Sequence, residues 1–181
     1  LASCSNKVKL WDLKTGERRA ILWHGASVRA VGISPDGNLL ASAGEDGRVR
    51  LWRLDSHELV RTLTGHGAAV HTVAFSGDRR VLASGDGEGR VRLWELVSGA
   101  LLHTLDAHRG PVHALAFAPD GLDLASGGAD GDVRLWEINT CSGHTFAGHT
   151  GPVRAVAFAP SGARLASGGA DGTVRLWPLS R

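Results

Sequence analysis

Methionine is absent from the 181 residues, even at the first position, and the chain opens part-way through a repeated phrase. Both features are expected of a piece of a longer polypeptide. Cysteine occurs only twice, at Cys4 and Cys141, far apart and in no repeated position. That usage argues for a reducing compartment rather than a disulfide scaffold. No apolar run approaches the roughly 18 residues of a membrane span, and no signal-peptide pattern is present. A soluble cytoplasmic protein is expected, with no membrane partner. Neither sign of charge dominates: 20 Lys and Arg face 18 Asp and Glu, and a net charge of +2 is too small to predict nucleic-acid binding. No segment sustains an apolar period of 3.6 residues, so helix is not the organising element.

What the chain does have is repetition. LASGGADGTVRLW (Leu165–Trp177) returns as LASGGADGDVRLW (Leu124–Trp136), LASGDGEGRVRLW (Leu82–Trp94) and LASAGEDGRVRLW (Leu40–Trp52), and a worn copy opens the chain at Leu1. Trp11, Trp52, Trp94, Trp136 and Trp177 mark the copies at steps of 41, 42, 42 and 41 residues. A fixed period in this range signals stacked units, none of which can bury its apolar face alone.

Within a period the pattern is one of short strands and turns. VHTVAF (Val70–Phe75) puts Val73 and Phe75 on one face, but Val70 lies three residues from Val73. Keeping all three inside requires an extra residue, a β-bulge. Turns follow at Gly77-Asp78, Ser34-Pro35-Asp36-Gly37 and Ala118-Pro119-Asp120-Gly121, where proline presets φ and glycine accepts positive φ. VLAS (Val81–Ser84), RVRLWEL (Arg90–Leu96) and LLHTL (Leu101–Leu105) supply three more strands. Asp46-Gly47, Glu88-Gly89, Asp130-Gly131 and Asp171-Gly172 form the hairpin turns between the second and third. The six prolines against 25 glycines fit this density of turns. Four antiparallel strands per roughly 42 residues describe a propeller blade, and the fold class is all-β.

These residues resemble the WD-repeat (WD40) β-propeller family over practically the whole chain. A second landmark supports the resemblance. His24, His66, His108 and His149 each stand 28 residues before their tryptophan, and Gly65, Ala107 and Gly148 precede three of them. The Asp of the Trp-Asp pair survives only as Asp12, with Arg53, Glu95, Glu137 and Pro178 replacing it elsewhere. The chain then divides into a partial blade (1–23), three full blades (24–65, 66–107 and 108–148) and a partial blade (149–181). The first lacks its innermost strand and the last its outermost. As written, the chain is an open arc or part of a larger ring, so self-association to complete a ring is a further expectation. The arginine-rich, alanine-rich composition suits a GC-rich, bacterial genome.

Each full unit holds a histidine, a serine ten residues before the tryptophan and an acid in the turn. The sets are His24/Ser42/Asp46, His66/Ser84/Glu88, His108/Ser126/Asp130 and His149/Ser167/Asp171. A hydrolytic triad is one strained site with an oxyanion hole, and nothing selects for four copies of it. The resemblance instead implies a structural hydrogen-bonded chain ending on the indoles of Trp52, Trp94, Trp136 and Trp177. Glu88 is one methylene too long for that geometry. Ser5 stands at the acid's position in the first copy, whose histidine is absent. The nine histidines show no zinc-ligand spacing with cysteine, and the Gly-rich stretches precede strands rather than helices. No cofactor, metal site or enzymatic activity is expected. Arg50, Arg92, Arg134 and Arg175 of the VRLW segments alternate with apolar residues and read as a solvated strand face.

The resemblance further implies that partners dock where the central channel opens. Transferred here, the contact positions are Ser27, Ala69, Pro111 and Pro152; Arg29, His71, His113 and Arg154; and Glu45, Gly87, Ala129 and Ala170. The second set is cationic or can become so, which favours a protein or peptide partner bearing acidic or phosphorylated residues. Trp23, which replaces the small residue before His24, is either blade-edge packing or an exposed anchor. Two functions remain open: a non-catalytic scaffold for protein–protein interaction, or the regulatory portion of a larger signalling enzyme, a kinase or nucleotide-triphosphatase fusion.

Overall fold

A computed structural model describes residues 2–4 and 6–179. Eighteen strands form five antiparallel sheets, and no helix occurs among the described residues. The first sheet has three strands, β1 (Ala2–Cys4), β2 (Val8–Trp11) and β3 (Arg18–Leu22). The second runs from β4 (Val28–Ile33) through β5 (Leu39–Gly44) and β6 (Val49–Arg53) to β7 (Leu59–Leu63). The third holds β8 (Val70–Phe75), β9 (Val81–Asp86), β10 (Arg90–Glu95) and β11 (Leu101–Asp106). The fourth holds β12 (Val112–Phe117), β13 (Asp123–Gly128), β14 (Val133–Glu137) and β15 (Gly143–Phe146). β16 (Val153–Phe158), β17 (Arg164–Gly169) and β18 (Val174–Pro178) complete the fifth. In every sheet the strands pair in chain order, so each sheet is a meander. Among the described residues the sheets do not close into a ring.

The core lies between sheets rather than within one. Ala43, Val49 and Leu51 of the second sheet cluster with Val70, Leu82 and Trp94 of the third. Ala83, Val91 and Leu93 cluster in turn with Val112, Leu124 and Trp136 of the fourth. The innermost strands β4, β8, β12 and β16 lie side by side. Where they start, each pairing with the next strand slips by one residue, between Val28 and Ala30, Val70 and Thr72, Val112 and Ala114, and Val153 and Ala155. These are the β-bulges that the Val70–Val73 spacing demands, and they recur in four sheets. The residue left over at each is Arg29, His71, His113 or Arg154, so the bulge re-aims these side chains in particular.

The VRLW arginines depart from the solvated-face expectation. Arg50 bonds Asp46 at 2.7 Å, and Arg134 donates to the Asp106 carbonyl at 3.3 Å. A Cβ at Gly65 or Gly148 would collide with the Arg92 or Arg175 guanidinium. Arg92, Arg134 and Arg175 are half-buried where the loop before the landmark histidine folds back over them, and Arg50 where it pairs with Asp46.

Candidate functional site

Four blades contain a linear chain of hydrogen bonds. Trp52 donates its indole N–H to Ser42 Oγ at 2.8 Å, and Ser42 meets His24 Nδ1 at 2.7 Å. His24 Nε2 faces Asp46 at 3.3 Å. In the fourth blade Trp136 donates to Ser126 at 3.0 Å, Ser126 meets His108 at 2.8 Å, and His108 meets Asp130 at 2.9 Å. Trp177, Ser167, His149 and Asp171 repeat this in the fifth at 2.9, 2.8 and 2.9 Å. An ionised carboxylate only accepts, so an imidazole N–H points at Asp, and the serine oxygen accepts the indole proton. With a neutral imidazole, the other ring nitrogen accepts the serine proton. Burial pushes the pKa of His24, His66 and His108 below its ordinary value, which keeps them neutral. Ser42, Ser84, Ser126 and Ser167 are buried, and each hydroxyl is bonded within its blade.

The third blade corrects one residue. Trp94 donates to Ser84 at 2.8 Å and Ser84 meets His66 at 2.6 Å, but His66 Nδ1 bonds Asp86 at 2.7 Å. Glu88 instead pairs with Arg90 at 3.1 Å, half exposed. Asp86 occupies the strand-end position held by Gly44, Gly128 and Gly169 in the sister blades, where a Cβ would overlap the histidine ring. Here the acid sits on the strand end and glycine takes its neighbour's place. Asp86 also caps the turn by accepting the Glu88 and Arg90 amides at 3.0 and 2.9 Å. The signal was present in the sequence as an aspartate where its sisters read glycine. In the first copy, Ser5 lies outside the described residues.

The channel-face positions come together in a regular frame. In each blade the amide of the residue before the turn donates to the carbonyl three residues after the histidine. Glu45 bonds Ser27, Gly87 bonds Ala69 and Ala129 bonds Pro111, each at 2.9 Å, and Ala170 bonds Pro152 at 2.8 Å. Beside each bond stands the bulge side chain, so the three sets form one surface. Along it run Arg29, His71, His113 and Arg154, each from a successive blade. The His71 and His113 rings lie 6.3 Å apart, and Arg154 Nη1 reaches His113 Nε2 at 3.5 Å.

The charge of this row is smaller than four cations. Arg29 is paired with Glu45 at 2.9 Å. Burial first, and Arg29 second, hold His71 below its ordinary pKa, with Asp86 opposing. Burial, then Arg154, His71 and His108 do the same to His113. Both imidazoles are neutral at pH 7, and among the described residues Arg154 is the cation of the row without a carboxylate partner. Trp23 is 66% exposed, with Lys7 Nζ 4.7 Å above its ring; the blade-edge packing reading is replaced by an exposed aromatic. Among the described residues, no group of three or more His, Cys, Asp or Glu is arranged to hold a metal ion, and no helix is long and apolar enough to cross a membrane.

Meander sheets stacked in series, with the Trp–Ser–His–Asp chain in four of them, define WD40 repeats folded as blades of a β-propeller. Family models agree on the repeat: "WD domain, G-beta repeat" matches residues 99–137 and 140–178, and "Anaphase-promoting complex subunit 4 WD40 domain" matches 31–113. A chain in the crystal structure of the mitotic checkpoint complex superposes with a TM-score of 0.91 at 30% identity, covering 98% of this chain and 58% of that one. The WD repeat, SAM and U-box domain-containing protein 1 of Danio rerio is 46% identical over 66 residues, 34% of this chain and 14% of the relative. The small ribosomal subunit protein RACK1y of Oryza sativa subsp. japonica is 40% identical over 62 residues, 34% of this chain and 18% of the relative. DDB1- and CUL4-associated factor 13 of Dictyostelium discoideum is 39% identical over 57 residues, 31% and 13% of the two chains. The chain thus spans less than a fifth of the length of each of these curated relatives.

Proposed function

We propose that the chain is a non-catalytic, cytoplasmic scaffold that holds a protein or peptide partner against the channel face of its blades, and that the partner presents acidic or phosphorylated side chains. The observation that carries this reading is the row of four bulge residues, Arg29, His71, His113 and Arg154, in successive blades of one surface. Their neighbours Ala69, Pro111, Gly87 and Ala129 are small or compact and leave the row reachable. Relatives named for complexes and for interaction domains, such as DDB1- and CUL4-associated factor 13, support a role in assembly.

A second reading has its own support. The Danio rerio relative combines WD repeats with SAM and U-box domains in one protein, so this array can equally be the recognition part of a larger signalling protein. The two readings share the same binding face.

Charge reversal at both ends of the row tests the proposal. The Arg29→Glu, Arg154→Glu double variant is expected to lose capture of an immobilised Glu-rich peptide by at least about ten-fold, with its far-UV circular dichroism unchanged. Capture that survives the reversal contradicts it.

A further inference from the structure

Blade two contains its own model of the ligand. The Glu45 carboxylate, just before the turn, rests on the Arg29 guanidinium at 2.9 Å. In the next two blades the position of Glu45 is held by Gly87 and Ala129, which bring no carboxylate. Gly87 leaves His71 Nε2 uncovered, since a Cβ there would stand only 3.4 Å from that nitrogen. The two blades that carry His71 and His113 therefore lack the carboxylate that Glu45 brings to Arg29 in blade two, and Arg154 stands 3.5 Å from His113.

We propose that His71, His113 and Arg154 form a carboxylate subsite that takes an acidic side chain of the partner together with protons from the solvent. This rests on the channel-face reading above and gives that face a chemistry. In the free protein Arg154 can only donate, so its 3.5 Å contact requires His113 Nε2 to be an unprotonated acceptor. When a carboxylate arrives, His113 Nε2 takes a proton from water and becomes a donor, and the Arg154 guanidinium is released to the same carboxylate. His71, 6.3 Å from His113 ring to ring, adds a second protonation site. Without the anion, two protonated imidazoles beside Arg154 repel one another; with it, each gains a charge-assisted hydrogen bond.

The surrounding charges leave this sense unchanged. Asp86 is already bonded to His66, Arg29 to Glu45, and His108 to Ser126 and Asp130. The lowered pKa of both imidazoles supports the same sense. An anion raises them, so the bound state holds more protons than the free state. By linkage, affinity increases as pH falls through the bound-state pKa values and levels off below those of the free state.

The probe is a fluorescein-labelled Glu-rich peptide, whose carboxylates stay ionised between about pH 5.5 and 8. Anisotropy should show affinity rising about ten-fold or more from pH 8 to 5.5 for the wild-type chain. In the His71→Gln, His113→Gln double variant the rise should disappear. Circular dichroism in parallel monitors the fold, because the buried imidazoles of His24, His66 and His108 lose stabilisation below their ordinary value of 6.5. A readout independent of any variant is the proton uptake of the wild-type chain, from calorimetry in buffers of different ionisation enthalpy. One to two protons taken up near pH 6.5 supports the subsite. Binding with no proton uptake, or a pH rise that survives in the double variant, overturns the subsite and leaves the channel face standing. Binding absent at every pH overturns the channel-face reading itself.

Discussion

A buried serine can accept a hydrogen bond from the indole N–H of its blade while donating one to histidine, which donates one to aspartate, so the chain needs its acid at one end. In the third blade that acid is Asp86, fully enclosed and accepting from His66 and two turn amides. Removing it strands an imidazole N–H and two amides. Asp86→Ala is expected to lower unfolding free energy by about 2–4 kcal/mol, whereas Glu88→Ala, at a half-exposed pair, should change it by no more than about 0.5 kcal/mol. Urea titration of both variants checks this, and the opposite ranking would return the network to Glu88. The repeat register located the histidine, serine and tryptophan, because their spacing is invariant. It misassigned the acid because in this blade a second acid, Asp86, stands two residues earlier at the strand end where the sisters read glycine, while Glu88 still fills the turn position that a count from the tryptophan selects.

At the scale of the element, sheets are joined by a valine of one innermost strand pressing on the second strand of the sheet before it. A Cβ added at Gly85 would stand 2.7 Å from Val112, and one at Gly127 2.6 Å from Val153. At Gly168, the matching position in the last sheet, a Cβ would meet Ala155 Cβ at 3.9 Å, an ordinary contact. Gly127→Ala should therefore cost about 1–3 kcal/mol through overpacking. Gly168→Ala should be neutral, or stabilising by about 0.4–1 kcal/mol through the unfolded chain. Thermal melts of the two variants distinguish them, and equal costs would contradict this picture of the junctions. The bulges were legible because valine spacing breaks alternation there. The fate of the VRLW arginines was not: alternation tells which face a side chain leaves from, but not that a distant loop folds over it.

Taken whole, the molecule is a series of sheets whose inner ends share one face, and that face carries the row from Arg29 to Arg154. Repeat length and strand count made the architecture legible, and the family resemblance supplied the positions proposed for partner contact. What one-dimensional reading could not supply was its electrostatics, since the Arg29–Glu45 pair and the close approach of His71, His113 and Arg154 arise only when successive blades stand side by side. The last sheet leaves Val174 and Leu176 exposed at 76% and 65%, and the outer strands β7 and β11 leave Leu59, Val60, Leu101 and Leu102 exposed, so the channel face has competitors as a docking surface. Hydrogen–deuterium exchange with and without the Glu-rich peptide, labelled near pH 6, compares them directly. Protection gathered at the first residues of β4, β8, β12 and β16 is the result expected of a partner seated on the row. Protection confined to β7, β11 or β18, with the inner strands unchanged, would contradict the channel face as the binding surface.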